Sequence, residues 1–121
     1  MTENETKASG IAGDAGYAAP LYETRAEVPE AARWKLEDIY AAPTQWEAEA
    51  KEAEATAAEL AACRGRVMDS AASLLKAITL DERLDYLLGR LYCYAVMRSH
   101  EDTAAEGPKA LAARATQLSV R

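Results

Sequence analysis

Apolar residues recur at steps of three and four along residues 80–100, and this helical period constrains the fold more than any other feature. The stripe consists of Leu80, Leu84, Leu87, Leu88, Leu91 and Ala95. A repeat of this kind places its members on one face of an α-helix. No stretch alternates apolar and polar residues for more than a few positions. The sequence therefore predicts an all-α fold, with the stripe from Leu84 to Ala95 among its most buried parts.

A second helix is predicted over residues 43–64. Pro43 suits a first helical turn because its missing N–H is not needed there. Gly65 stands where a left-handed C-cap belongs. The apolar seam of this helix is rich in alanine, so Trp46 and Leu60 should supply much of its packing energy. The opposite side carries a run of glutamates between residues 47 and 59, which is most simply an exposed face with an i,i+4 pair from Glu47 to Lys51.

A short helix is predicted over residues 70–78, between the two long ones. Ser70 is a good N-cap, and the apolar side of this helix would carry Leu74, Leu75 and Ile78. Thr79 or Asp81 can then cap the helix over residues 80–100. Gly89 lies inside that core helix, where glycine is unfavourable, so we expect a neighbouring backbone to approach it closely.

The predicted array is completed by a short turn over residues 36–40 and a last helix over residues 104–121. The last helix has no capping residue at Arg121, which indicates an interior point of a longer element. We expect its Leu111, Leu118 and Val120 to contribute surface that further polypeptide would cover. The whole is predicted to be an antiparallel array of about four helices that forms part of a larger all-helical fold.

Residues 1–27 are predicted to be a disordered or extended tail, and residues 28–121 a helical domain. The first twenty residues contain too little apolar surface to offset the entropy of ordering. Small and polar residues dominate them, including Gly10, Gly13, Gly16 and Pro20.

Charge excludes two classes of partner. The chain has 14 basic and 20 acidic residues, a net charge of −6, so the basic surface expected for binding to nucleic acid or to anionic membranes is missing. Its longest apolar run, residues 91–97, is far shorter than the roughly 20 residues of a membrane span. The first seven residues resemble no secretory signal. A cytoplasmic location is the resulting expectation, and Cys63 and Cys93 are expected to be reduced.

No catalytic, cofactor-binding or metal-binding residue is predicted. The chain has one histidine, His100, no H-E-x-x-H and no glycine-rich phosphate loop. His100, Cys63 and Cys93 fall short of a zinc ligand set. His100 beside Glu101 is better explained as a solvated helix end than as a catalytic pair, because no nucleophile is evident.

The aromatic residues are also interpreted as structural. Trp34 and Trp46 are expected to anchor packing, since large aromatic side chains at helix starts usually bury against neighbours. Tyr92 and Tyr94 are expected to flank the core.

Residues 33–40 and 98–103, here called the two motif segments, carry the most specific patterns. The first contains Trp34-x-Leu36-x-x-Ile39-Tyr40 and the second Ser99-His100-Glu101-Asp102-Thr103. Together with further matches in the same order, they resemble the N-terminal region of oligoendopeptidase F and related thimet-type zinc oligopeptidases. Those further matches are Trp46-Glu47, Arg64-Gly65-Arg66, Ser70 with Leu74-Leu75, Leu91-Tyr92-Cys93-Tyr94-Ala95 and Ala115-Thr116-Gln117-Leu118.

The resemblance implies an all-helical enzyme about five times longer, whose two halves close over a channel that admits short peptides. Its other half would hold zinc on H-E-x-x-H and a further glutamate, with the motif glutamate as general base. None of those residues is present here, so no site residue is carried over. The partners implied are the catalytic domain and an oligopeptide substrate.

Two alternatives remain open. The chain could be a non-catalytic helical interaction module that packs against a partner or its own copy. It could also be a domain of an unrelated all-α protein whose motifs match by coincidence.

Overall fold

The computed structural model describes residues 20–120 and contains helical elements throughout that range. Three short 3₁₀ turns, Arg25–Glu27, Glu30–Ala32 and Leu36–Asp38, precede three long helices. These are α1 (Pro43–Ala62), α2 (Ala71–Glu101) and α3 (Glu106–Ser119). Residues 20–120 contain no strand, so the all-α prediction is confirmed for them. Residues 1–19 of the predicted tail lie outside the described residues.

Helix α1 begins and ends close to its predicted limits. Pro43 is its first residue, as expected for a residue without an N–H to donate. The helix ends at Ala62, and Gly65 follows with a φ of +76°. This left-handed backbone conformation reverses the chain, as the sequence predicted.

The prediction of two helices over residues 70–78 and 80–100 is wrong, because α2 is one continuous helix. Ser70 does cap it: its Oγ accepts a hydrogen bond from the Ser73 N–H at 3.0 Å. Thr79 caps nothing, since its hydroxyl donates to the Leu75 carbonyl one turn earlier at 2.9 Å. Hydrogen bonding within the helix satisfies the hydroxyl, so the backbone continues through it. Residues 20–120 therefore contain three long helices rather than four.

Helix α3 begins two residues later than predicted. Asp102 Oδ1 accepts from the backbone N–H groups of Ala104 and Ala105 at 3.0 and 3.3 Å. This turn uses residues 102–105 to redirect the chain, so α3 starts at Glu106. The predicted last residue, Arg121, lies outside the described residues.

The core lies where α2 packs against both α1 and α3. Its largest fully buried side chains are Trp46, Leu36, Leu87 and Leu91. The Trp46 indole N–H donates to the Leu91 carbonyl at 3.1 Å, so α1 is joined to the middle of α2 by a buried hydrogen bond as well as by packing. Tyr40 and Tyr94 meet edge to face with ring centroids 5.1 Å apart.

The predicted core stripe is confirmed in its central part. Leu87, Leu91 and Ala95 are buried, whereas Leu84 and Leu88 are half-buried at the edge of the core. Leu111 and Leu118 of α3, expected to offer uncovered surface, also pack against this core. Val120 alone of that predicted set is largely exposed.

The first two turns of α2 differ most from expectation. Leu74, Leu75 and Ile78 are exposed, although their spacing predicted a packed apolar side. We call these three residues the exposed α2 face. Gly89 also departs from its prediction, because a Cβ built on it would meet nothing within 4 Å. No neighbouring backbone of the described chain approaches it.

Candidate functional site

The two motif segments are brought together at the C-terminal end of α2. Arg25 Nε, in residues 20–32, which we call the lead-in to the first segment, lies 2.7 Å from Glu101 Oε1 in the second. The N–H bond does not point at that oxygen, so the contact is an ion pair rather than a hydrogen bond. Arg98 Nη1 approaches the other carboxylate oxygen at 3.3 Å. The Glu101 side chain is 8% exposed and is therefore nearly enclosed between two guanidinium groups.

These contacts hold the lead-in against α2. Arg25 also donates to the Trp34 carbonyl at 3.2 Å, so one arginine joins both motif segments. Arg33 donates to the carbonyls of Val28 and Ala26 at 2.6 and 2.7 Å. These bonds satisfy backbone acceptors in a segment that has no long helix to do so. The lead-in is thus ordered by arginine side chains.

A cleft of about 160 Å³ lies between the lead-in and α2, with Val28, Trp34, His100 and Glu101 among its lining residues. Trp34 is 48% exposed, so its predicted role as a packing anchor is wrong. His100 is exposed as expected, and the Glu101 carboxylate is engaged by arginines rather than by the imidazole. Nothing in this arrangement resembles a nucleophile with its base.

Arg90 of α2 is the centre of a second polar cluster. This cluster joins the turn Leu36–Asp38 and the following Ile39 to α1 and α2. Its guanidinium donates to the Ile39 carbonyl at 3.0 Å and to the Tyr86 hydroxyl at 2.9 Å. It also lies 3.2 Å from a carboxylate oxygen of Glu49. The same group stacks over the Tyr40 ring, 5.0 Å from its centroid. One cation thus links three parts of the chain.

Tyr40 completes this cluster by donating its hydroxyl hydrogen to Glu49. Burial, together with the hydrogen bond to the Glu49 carboxylate, raises the pKa of the Tyr40 phenol to about 12, because both favour the neutral, donating form. Tyr40 is therefore a buried neutral donor rather than a proton-transfer group near neutral pH.

Three glutamates of α1, Glu47, Glu49 and Glu52, form ion pairs with arginines of α2 and α3, which sequence reasoning missed. Glu47 pairs with Arg114 at 2.5 Å, not with Lys51 as predicted. The hydrogen bond from Arg114 lowers the pKa of Glu47. Glu52 accepts from Arg83 at 3.0 Å. No sequence signal could identify these partners, since they are 31 and 67 residues away. The predicted solvated face is in part an inter-helix contact surface.

The described residues offer no set of metal ligands. No three His, Cys, Asp or Glu side chains of residues 20–120 lie close enough to hold a metal ion, so they do not fit the zinc site that the family resemblance implies. Among these same residues, no helix combines the length and apolar character that a membrane span needs.

Similarity to curated proteins identifies the relatives of the chain. It is 38% identical to oligopeptidase PepF of Bacillus subtilis over 79 residues, which is 65% of this chain and 12% of that protein. It is 30% identical to the plasmid-encoded oligoendopeptidase F of Lactococcus lactis subsp. cremoris, over 84% of this chain and 17% of that protein. The chain is an oligoendopeptidase F-like polypeptide.

A third relative agrees with this assignment. The group B oligopeptidase PepB of Streptococcus agalactiae is 28% identical over 81% of the oligoendopeptidase F-like chain and 16% of its own length. The chain spans less than a fifth of each of these relatives. No family model and no solved structure matches it.

Proposed function

We propose that this chain is the N-terminal helical portion of a zinc-dependent oligoendopeptidase that hydrolyses short peptides. The observation that carries the proposal is the similarity to three oligopeptidases over 65–84% of the chain. The chain would form part of the channel wall and would lack the zinc site. Its partners would be the catalytic domain and an oligopeptide substrate, in the cytoplasm.

Two features of the geometry support a wall rather than a reactive centre. In the polar clusters around Glu101 and Arg90, the charged side chains pair with one another. These pairs hold the lead-in and the turn Leu36–Asp38 against the helices. The paired positions Trp46–Leu91 and Glu52–Arg83 run in opposite sequence directions, which supports the antiparallel array expected for such a wall.

A chimera tests the proposal directly. The segment of Bacillus subtilis PepF that matches this chain is replaced by residues 20–121, which include Arg25, and hydrolysis of a fluorogenic oligopeptide is measured with and without a zinc chelator. We expect chelator-sensitive hydrolysis that survives the replacement. A folded chimera without hydrolysis, alongside an active parent, would contradict the proposed role.

The isolated chain provides the complementary prediction. It should not hydrolyse the same peptide and should bind zinc no more tightly than about micromolar, because one histidine and two cysteines do not make a catalytic ligand set. Zinc titration by calorimetry and the fluorogenic assay check this. Chelator-sensitive turnover by the purified chain would refute it.

A second candidate function is a non-catalytic interaction module. The exposed α2 face favours it, because Leu74, Leu75 and Ile78 present apolar surface on one side of a helix. The module interpretation predicts a stable complex or self-association in the absence of any peptidase domain.

A further inference from the structure

Gly89 is a residue whose presence the chain's own packing does not explain. It lies in the interior of α2, where glycine is among the least favourable residues. Its φ is not in the left-handed region, and an added Cβ would meet nothing within 4 Å. Neither backbone conformation nor a close neighbour within residues 20–120 therefore requires glycine here.

An open groove of about 530 Å³ lies directly beside Gly89. Ile39 and Tyr86 give it apolar and aromatic sides, and Cys93 lies one turn further along α2. Tyr86 and Cys93 are exposed. The absent Cβ makes the floor of this groove lower than any other residue would, so a second backbone could approach α2 closely at this point.

The rim of the groove is acidic. Glu82 and Asp85 line it, and neither has an ion-pair partner among residues 20–120. Arg90, the cation among the lining residues, is engaged by Glu49, Tyr86 and Ile39. Arg83 of the same helix pairs with Glu52. The groove therefore presents two uncompensated carboxylates, which suit a lysine or arginine side chain.

We propose that this groove docks a segment of the remaining oligoendopeptidase polypeptide that carries a lysine or arginine against Glu82 and Asp85. The inference rests on the proposed function. In the relatives, more than four-fifths of the polypeptide lies outside the matched part, so such a segment has a source. A second copy of this chain fits this acidic rim less well, because its acidic residues outnumber its basic ones by 20 to 14.

Cysteine labelling provides the test, because Cys93 lines the groove and Cys63 does not. The isolated chain and the PepF chimera are treated with a maleimide, and labelling at each cysteine is followed by peptide mass spectrometry. We expect Cys93 to react about tenfold or more slowly in the chimera than in the isolated chain, as a docked segment would cover it. Cys63 serves as the internal control and should change much less.

Two variants identify the features responsible. Gly89→Leu fills the groove and should return Cys93 labelling in the chimera toward the isolated-chain rate. The isolated Gly89→Leu chain should remain folded, since a Cβ at this position meets nothing within 4 Å and the rest of the side chain enters the open groove. Combined Glu82→Lys and Asp85→Lys should also expose Cys93, whereas Glu59→Lys, an exposed charge reversal on α1, should not.

The outcomes separate this inference from the proposed function. Hydrolysis by a chimera whose Cys93 reacts as fast as in the isolated chain would overturn the docking surface and leave the function intact. Protection of Cys93 without hydrolysis would support the docking surface and count against the function. Protection that survives both groove variants would overturn the assignment to Gly89 and the acidic rim.

Discussion

Trp34 and Trp46 lie twelve positions apart, yet their environments differ completely. Trp46 is 1% exposed and donates to the Leu91 carbonyl, whereas Trp34 is half-exposed beside a cleft. We expect Trp46→Ala to lower the free energy of unfolding by about 3–5 kcal/mol, because it leaves a cavity and removes the buried hydrogen bond to the Leu91 carbonyl. Trp34→Ala should cost less than about 1 kcal/mol. Urea unfolding at 25 °C measures both, and similar losses would contradict this core assignment.

Tyr40 should make stability depend on pH in the alkaline range. Its pKa in the folded chain is about 12, above the unfolded value of about 10. A raised folded pKa means that the contribution is complete below pH 10 and is lost as pH rises from about 10 to 12. Tyr40→Phe should remove this dependence and the tyrosinate absorbance step near pH 12. Tyr92→Phe, at an exposed position, should leave that step in place.

The ion pairs show the limit of sequence reasoning at this scale. The spacing of Glu47 and Lys51 on one helix made a local pair reasonable, yet Arg114 of another helix reaches Glu47 and also stacks over Trp46. Local spacing is visible in a sequence. The distance between two helices depends on packing, which no window of residues contains.

Two glycines in or near helices should respond in opposite directions to alanine. Gly65 has a φ of +76°, a conformation that costs an L-residue about 1–2 kcal/mol, so Gly65→Ala should lower the free energy of unfolding by about that amount. Gly89 has open space around it, and Gly89→Ala should raise that free energy by about 1 kcal/mol through helix propensity. Thermal unfolding of the two variants checks the signs, and a loss at both positions would show that something contacts Gly89.

Helices with caps and periodic apolar residues could be predicted from the sequence, and their junctions could not. Pro43, Gly65 and Ser70 mark helix ends in the structure as they did in the sequence. The prediction of a helix start at Thr79 was wrong. A threonine can cap a new helix or donate to a carbonyl of the preceding turn, and the sequence alone does not distinguish these two roles. The position of the lead-in could not be predicted from the sequence either, since the lead-in is held against α2 by the ion pair of Arg25 with the distant Glu101.

At the scale of the whole molecule, the two motif segments could be recognised in the sequence, but their contact in the folded chain could not be predicted from it. They were specific enough to identify the family resemblance, which similarity to the PepF and oligoendopeptidase F relatives confirmed. Glu101 explains part of that specificity, since its carboxylate is held by Arg25 and Arg98. A motif that fixes a tertiary contact need not be a reactive site.

The exposed α2 face predicts how the isolated chain behaves in solution. Leu75 is 65% exposed, with Leu74 and Ile78 exposed beside it, and contiguous apolar surface favours association in water. We therefore expect concentration-dependent self-association in sedimentation velocity at physiological salt, where the net charge of −6 is largely screened.

Combined Leu75→Lys and Ile78→Lys should shift the chain to monomer without loss of helical circular dichroism, because these side chains lie outside the core. Val120→Lys, at the exposed end of α3, is the matched control and should leave association unchanged. A monomer at every concentration, or dissociation by Val120→Lys alone, would exclude the α2 face as the contact surface and count against the interaction-module alternative.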